Sequence, residues 1–132
     1  MVPEPARTIL RLEGAAVLVG AVWAYAATGV SWWLFAALAL APDLALVAYL
    51  AGPRVGGAVY NLAHTYTAPL ALAGAGLALD APLALAVALV WLAHVGIDRA
   101  IGYGLKLPPG WRDTHLGPAG PATRRWSGEE GA

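Results

Sequence analysis

The 132-residue sequence contains no cysteine, which removes disulfides, thiolate metal ligands and thiol redox chemistry at once. Charge is nearly as scarce: eight Lys and Arg and eight Asp and Glu make up 12% of the chain and cancel. So few and so scattered basic residues exclude nucleic acid as a partner, because nothing offers a positive surface to a phosphate backbone. A soluble domain carries charge on about a quarter of its residues, and this chain does not. What it has instead is 59% apolar side chains, 16 glycines and a mean hydropathy of +0.62. That is the composition of a membrane protein, in which small residues let helices approach where lipid supplies no hydrophobic drive to association.

Four apolar runs, at about 9–27, 32–50, 55–79 and 81–101, have the roughly twenty residues that cross a hydrocarbon core of about 30 Å as helices. They predict an all-α, integral membrane four-helix bundle with short turns. "TGVSWW" and "LDAPLA" read as tight turns, and "AGPRVGG" as a polar break with a proline. The first run follows Arg7 and Arg11, but it carries Glu13 and no cleavage site, so it reads as a mature helix rather than a leader. The domain is expected to span 1–117, with a capping segment at 104–117, and the Pro/Gly-rich 118–132 reads as a disordered tail. Trp23, Trp32, Trp33 and Trp111 suit interfacial anchors.

Four spans bring the N-terminus, the turn at Arg54 and the C-terminal tail to one side, and all eight basic residues (Arg7, Arg11, Arg54, Arg99, Lys106, Arg112, Arg124 and Arg125) fall there. By the positive-inside rule that side is cytoplasmic. The expected location is the cytoplasmic (inner) membrane, multi-pass, with both termini cytoplasmic.

Every span carries an ionisable group into the same half of the bilayer: Glu13, Asp43, His64, and His94 with Asp98. At about 1.5 Å of rise per residue, Asp43, His64 and His94 lie at a common depth of about 12–13 Å. Such groups cost on the order of 3 kcal/mol each at a helix centre, so they face one another or water and mark function. His94 and Asp98 are i and i+4 on one helix face, and Asn61 and His64 begin a second polar stripe in "YNLAHTY", flanked by Tyr60 and Tyr66. Pro42 weakens the helix before Asp43 and frees a carbonyl. Two imidazoles and two carboxylates are the donor types of a divalent metal site, zinc favoured, with His64, His94, Asp98 and Asp43 as ligands. Asp43 doubles as a catalytic base, and Asp113 and His115 in "WRDTHLG" are candidates for a further ligand or general acid/base. Tyr60, Asn61, Tyr66 and Glu13 are supporting candidates. Simpler roles compete at each position: interhelical hydrogen bonds for the histidines, an ion pair of Asp98 with Arg99 or Arg54, a salt bridge of Glu13 with Arg11, and a turn cap at Asp113 to His115.

The stretches "LRLEGAAVL", "SWWLFAALALAPDLALVAYLAGPRVGGAVYNLAHTYTAP" and "WLAHVGIDRAIGYGLKLPPGWRDTHLG" resemble the bacterial membrane family catalogued as domain of unknown function 4260, over roughly residues 9–117. A fainter resemblance is to the YdjM-like membrane-bound hydrolases, which order a PD motif, a His-Thr motif and a helical HxxxD. Here these are Asp43, His64 with Thr65, and His94 with Asp98, although "HTY" stands where that family has an arginine-glycine pair. The second resemblance implies metal-dependent hydrolysis, here of a membrane lipid or lipid-linked phosphoester or ester. The alternatives are a proton or metal-ion transporter or sensor, for which so short a chain would form a homo-oligomer, and a structural membrane protein.

Overall fold

A computed structural model describes residues 3–103; the expected capping segment 104–117 and tail 118–132 lie outside the described residues. The described chain is entirely helical, in four legs. Helix α1 (Ala6–Thr28) is the first leg. The second joins α2 (Trp32–Leu38) to a 3-10 helix (Ala41–Ala51). The third joins α3 (Pro53–Ala63) to α4 (Thr67–Ala78), and α5 (Pro82–Ile101) is the fourth. Three stretches are long and apolar enough to cross a membrane: Ala6–Thr28, Trp32–Ala51 and Pro82–Ile101. Outward-facing side chains such as Trp23, Trp33 and Leu50 are more than three-quarters exposed, the pattern of a surface that meets lipid rather than water.

Two of the expected continuous helices are not continuous, and proline explains both. Pro42 has no N–H to donate and sits at the start of the 3-10 helix, so the second leg tightens from α into 3-10 geometry there. Pro69 lies in the first turn of α4, where missing donors are harmless. A single helix through it would set its ring against the carbonyl of Thr65, and the chain instead leaves helical geometry at residues 64–66.

The bundle closes around α5, which packs against α1, α2 and α4. Gly14 and Gly96 permit the α1–α5 contact: a Cβ on Gly96 would lie 2.8 Å from the Gly14 carbonyl oxygen and 2.8 Å from the Leu18 nitrogen. The α1–α2 turn is fastened by buried Tyr25, whose hydroxyl donates to the Ser31 carbonyl at 2.6 Å and whose ring packs against Trp32 and Phe35. Before the first span, Glu4 accepts from Thr8 and from Arg7, and these bonds hold its carboxyl below the usual carboxylate range.

The 3-10 helix and α3 form a hairpin about Gly52, whose φ of +112° suits glycine. Nine residues at about 2.0 Å of rise separate Asp43 from Gly52, about 18 Å in all. Twelve residues at about 1.5 Å return from Gly52 to His64, again about 18 Å. The unequal pitches therefore bring Asp43 and His64 level, whereas an α-helix before the turn would leave Asp43 most of a turn short.

Candidate metal centre

Asp43, His64, His94 and Asp98 meet at that level, with one candidate ligand atom of each within 4.8 Å of all the others. His64 Nε2 lies 3.1 Å from Asp43 Oδ1, 3.5 Å from Asp98 Oδ2 and 3.2 Å from His94 Nε2. His94 Nε2 lies 3.2 Å from Asp43 Oδ1 and 3.3 Å from Asp98 Oδ2. Three different legs supply these atoms, so the cluster exists only in the folded chain.

The outer nitrogens of both rings carry a proton. His64 Nδ1 is 2.9 Å from the Tyr60 carbonyl and His94 Nδ1 is 2.6 Å from the Ala39 carbonyl. A carbonyl only accepts, so both Nδ1 atoms donate, and in the neutral form of each ring the lone pair of Nε2 turns inward. The Ala39 carbonyl is available because the residue three further on, which would donate to it in a 3-10 turn, is Pro42. With both rings neutral, two lone pairs and two carboxylates converge with no donor of their own, and positive charge between them, as a bound cation or as protons on Nε2, relieves the repulsion.

The remaining contacts hold the break in the third leg. Tyr60 stacks on the His64 ring at 3.7 Å between centroids. Trp91 Nε1 donates to the Ala63 carbonyl at 2.6 Å, and Arg99 Nη2 donates to the His64 carbonyl at 2.5 Å. These are carbonyls that the end of a helix leaves without intrahelical donors. Arg99 is 6% exposed and also donates to Tyr103 O. It does not pair with Asp98: among the described residues the ion-pair contacts of Asp98 are with the two histidines. Arg99 and Trp91 are the site residues that sequence reasoning passed over.

Of the supporting candidates, Asn61 is half-buried on α3, and Tyr66 lies in the break with its hydroxyl buried and unpartnered among the described residues. Glu13 is exposed on α1, outside the group of four. Asp113 and His115 lie outside the described residues.

The four clustered residues differ sharply in access. The side chains of His64 and His94 are 0% and 4% exposed, Asp98 is 15% and Asp43 is 41%. Asp43, His94 and Asp98 belong to the lining of a cavity of about 240 Å³ that runs between α1, α2 and α5.

Residues 7–119 match the family model described as Domain of unknown function (DUF4260). No curated protein and no solved structure gives a significant match.

Proposed function

We propose that this chain, which belongs to the DUF4260 family, is a membrane-embedded, divalent-metal-binding hydrolase that acts on a lipid or lipid-linked substrate, with zinc as the favoured ion. The observation that carries this reading is the spacing of the four converging acceptors. Metal-to-ligand distances of about 2.0–2.1 Å in a tetrahedron give ligand-to-ligand edges of about 3.3–3.4 Å. The five His–His and His–Asp separations run from 3.1 to 3.5 Å. Two imidazoles favour zinc or a neighbouring transition ion over magnesium or calcium, which prefer oxygen alone.

His64, His94 and Asp98, the least exposed of the four, would be the fixed ligands. Asp43 would complete the set or act as base at the open side. A bound ion of this kind polarises a carbonyl or phosphoryl oxygen and lowers the pKa of a water to about 7. The chain's part is to hold the ligands in register, to keep both Nδ1 protons on backbone carbonyls and to shelter the site from bulk water. The one-sided distribution of Lys and Arg supports insertion in the cytoplasmic membrane with both termini inside.

Elemental analysis of purified protein, washed free of loosely held ions, tests the reading. One equivalent of a transition metal is expected in the native chain, and none in His64→Ala or His94→Ala. Full retention in both variants would sink the ligand assignment. A stoichiometric ion without turnover of any amphiphile would favour transport or sensing.

A further inference from the structure

We propose that the substrate is a single-chain carboxylic ester, whose chain lies in the cavity beside Asp43 and whose carbonyl meets the ligand cluster from the lipid side. This rests on the hydrolase reading above and narrows its substrate to one class.

The first observation is the cavity. Its walls are Leu18 from α1, Phe35 from α2, Leu40, and Val90, Ala93 and Ile97 from α5. Asp43, His94 and Asp98 complete its lining, so an apolar slot carries three of the four clustered side chains on its wall. Leu40 and Ile97 are 72% and 43% exposed, and both belong to membrane-spanning stretches. The mouth they share therefore opens toward hydrocarbon, and a chain already dissolved in the bilayer enters without crossing water. Asp43, the most exposed ligand, is the first polar group that an entering headgroup meets.

The second observation is charge. Two carboxylates and two neutral imidazoles balance a divalent ion completely, which leaves no net positive charge for an anionic substrate. Arg99, the buried cation beside the cluster, already donates from both terminal nitrogens to the backbone carbonyls of His64 and Tyr103. A phosphodiester would bring a full negative charge next to Asp43 in a poorly screened site. An ester carbonyl brings only a dipole, which loses far less on leaving its surroundings.

The reaction is ordinary hydrolysis. The oxygen of water bonds to the acyl carbon, the bond from that carbon to the alkoxy oxygen breaks, and the proton given up by water passes by way of Asp43 to the departing alkoxide. The products are a carboxylic acid and an alcohol. Ionisation of the acid near Asp43 then favours its departure, since like charges repel.

The test uses the full-length, zinc-loaded protein in alkyl maltoside micelles and two probes that release the same chromophore, p-nitrophenyl dodecanoate and dodecyl p-nitrophenyl phosphate. The ester should turn over at least about ten-fold faster than the phosphodiester, with His94→Ala as the background. Leu40→Trp and Ile97→Trp, which crowd the mouth without replacing a ligand, should lower ester turnover by about ten-fold or more, the scale of a misplaced reacting group. They should also weaken binding of the unreactive dodecyl methyl ketone while zinc content stays at one equivalent. Leu79→Trp, at a position more exposed than either but outside the cavity lining, should change none of these. Turnover of the phosphodiester at or above the ester rate would overturn this inference and leave the hydrolase reading standing. So would mouth variants that bind the ketone and cleave the ester as the native chain does. Zinc-loaded protein that cleaves neither probe would overturn both.

Discussion

Arg99 reaches back 35 positions along the chain to donate to the carbonyl of His64, a residue whose opposite end is a candidate metal ligand. The guanidinium therefore controls where the His64 ring sits without touching the cluster through its own charge. Arg99→Met would leave that carbonyl buried without a donor. Metal affinity, measured by competition with a chromogenic chelator, should fall by about 10- to 100-fold, as when an outer partner of a ligand is lost. Arg99→Lys should recover part of the loss. Undiminished affinity in Arg99→Met would mean that Pro69 alone sets the break.

An ion and a proton-linked ion pair predict opposite signs for Asp98→Asn. In chelator-treated protein the four acceptors repel, so the variant should gain about 1 kcal/mol or more in unfolding free energy. Zinc at about 100 times its dissociation constant should stabilise the native chain by about 2.7 kcal/mol and the variant hardly at all. If protonated histidines are instead paired with the carboxylates, the metal-free variant should lose about 3–5 kcal/mol. Denaturant unfolding in detergent, with and without chelator, separates the two.

The convergence of four polar residues was legible from sequence because ionisable side chains inside apolar runs stand out. Asp43, His64, His94 and Asp98 do come together, and the all-helical, membrane-spanning architecture follows from the same runs. The break at residues 64–66 was written in the sequence too, since Pro69 follows Thr65 by four positions. An apolar count does not see it. Arg99 entered the sequence reading only as one of two possible partners for an ion pair with Asp98, although adjacent residues on a helix point to different faces. The change of the second leg to 3-10 geometry beyond Pro42 had no clear sequence signal, because a proline announces a disruption and not the pitch that follows it.

The α1–α5 seam should tolerate no added carbon at Gly96. Gly96→Ala places a Cβ 2.8 Å from two backbone atoms and should cost about 1–3 kcal/mol of unfolding free energy. Gly20→Ala, where a Cβ meets nothing within 4 Å, should cost nothing. Equal stabilities for the two variants would mean that the helices are not held this close.

Topology is checked by reporter fusions. Fusions at Val30 and Asp80 should read outside the cytoplasm, and one at Pro53 inside. A cytoplasmic reading at Asp80 would mean that the third leg, built from helices of 11 and 12 residues, does not traverse the bilayer.

The hairpin about Gly52 acts as a ruler made of two unlike scales. Asp43 and His64 are 21 positions apart, and their coincidence depends on how that interval is divided between a stretched helix and a relaxed one. Moving the glycine by one place in either direction, with composition and hydrophobicity untouched, would change the 3-10 arm by about 2.0 Å and the α arm by about 1.5 Å in the opposite sense. The resulting offset of about 3.5 Å is as large as a ligand-to-ligand edge. The position of a small residue remote from the cluster therefore constrains the chain as tightly as the identity of the ligands, and an insertion at the turn would dismantle the site from about 18 Å away.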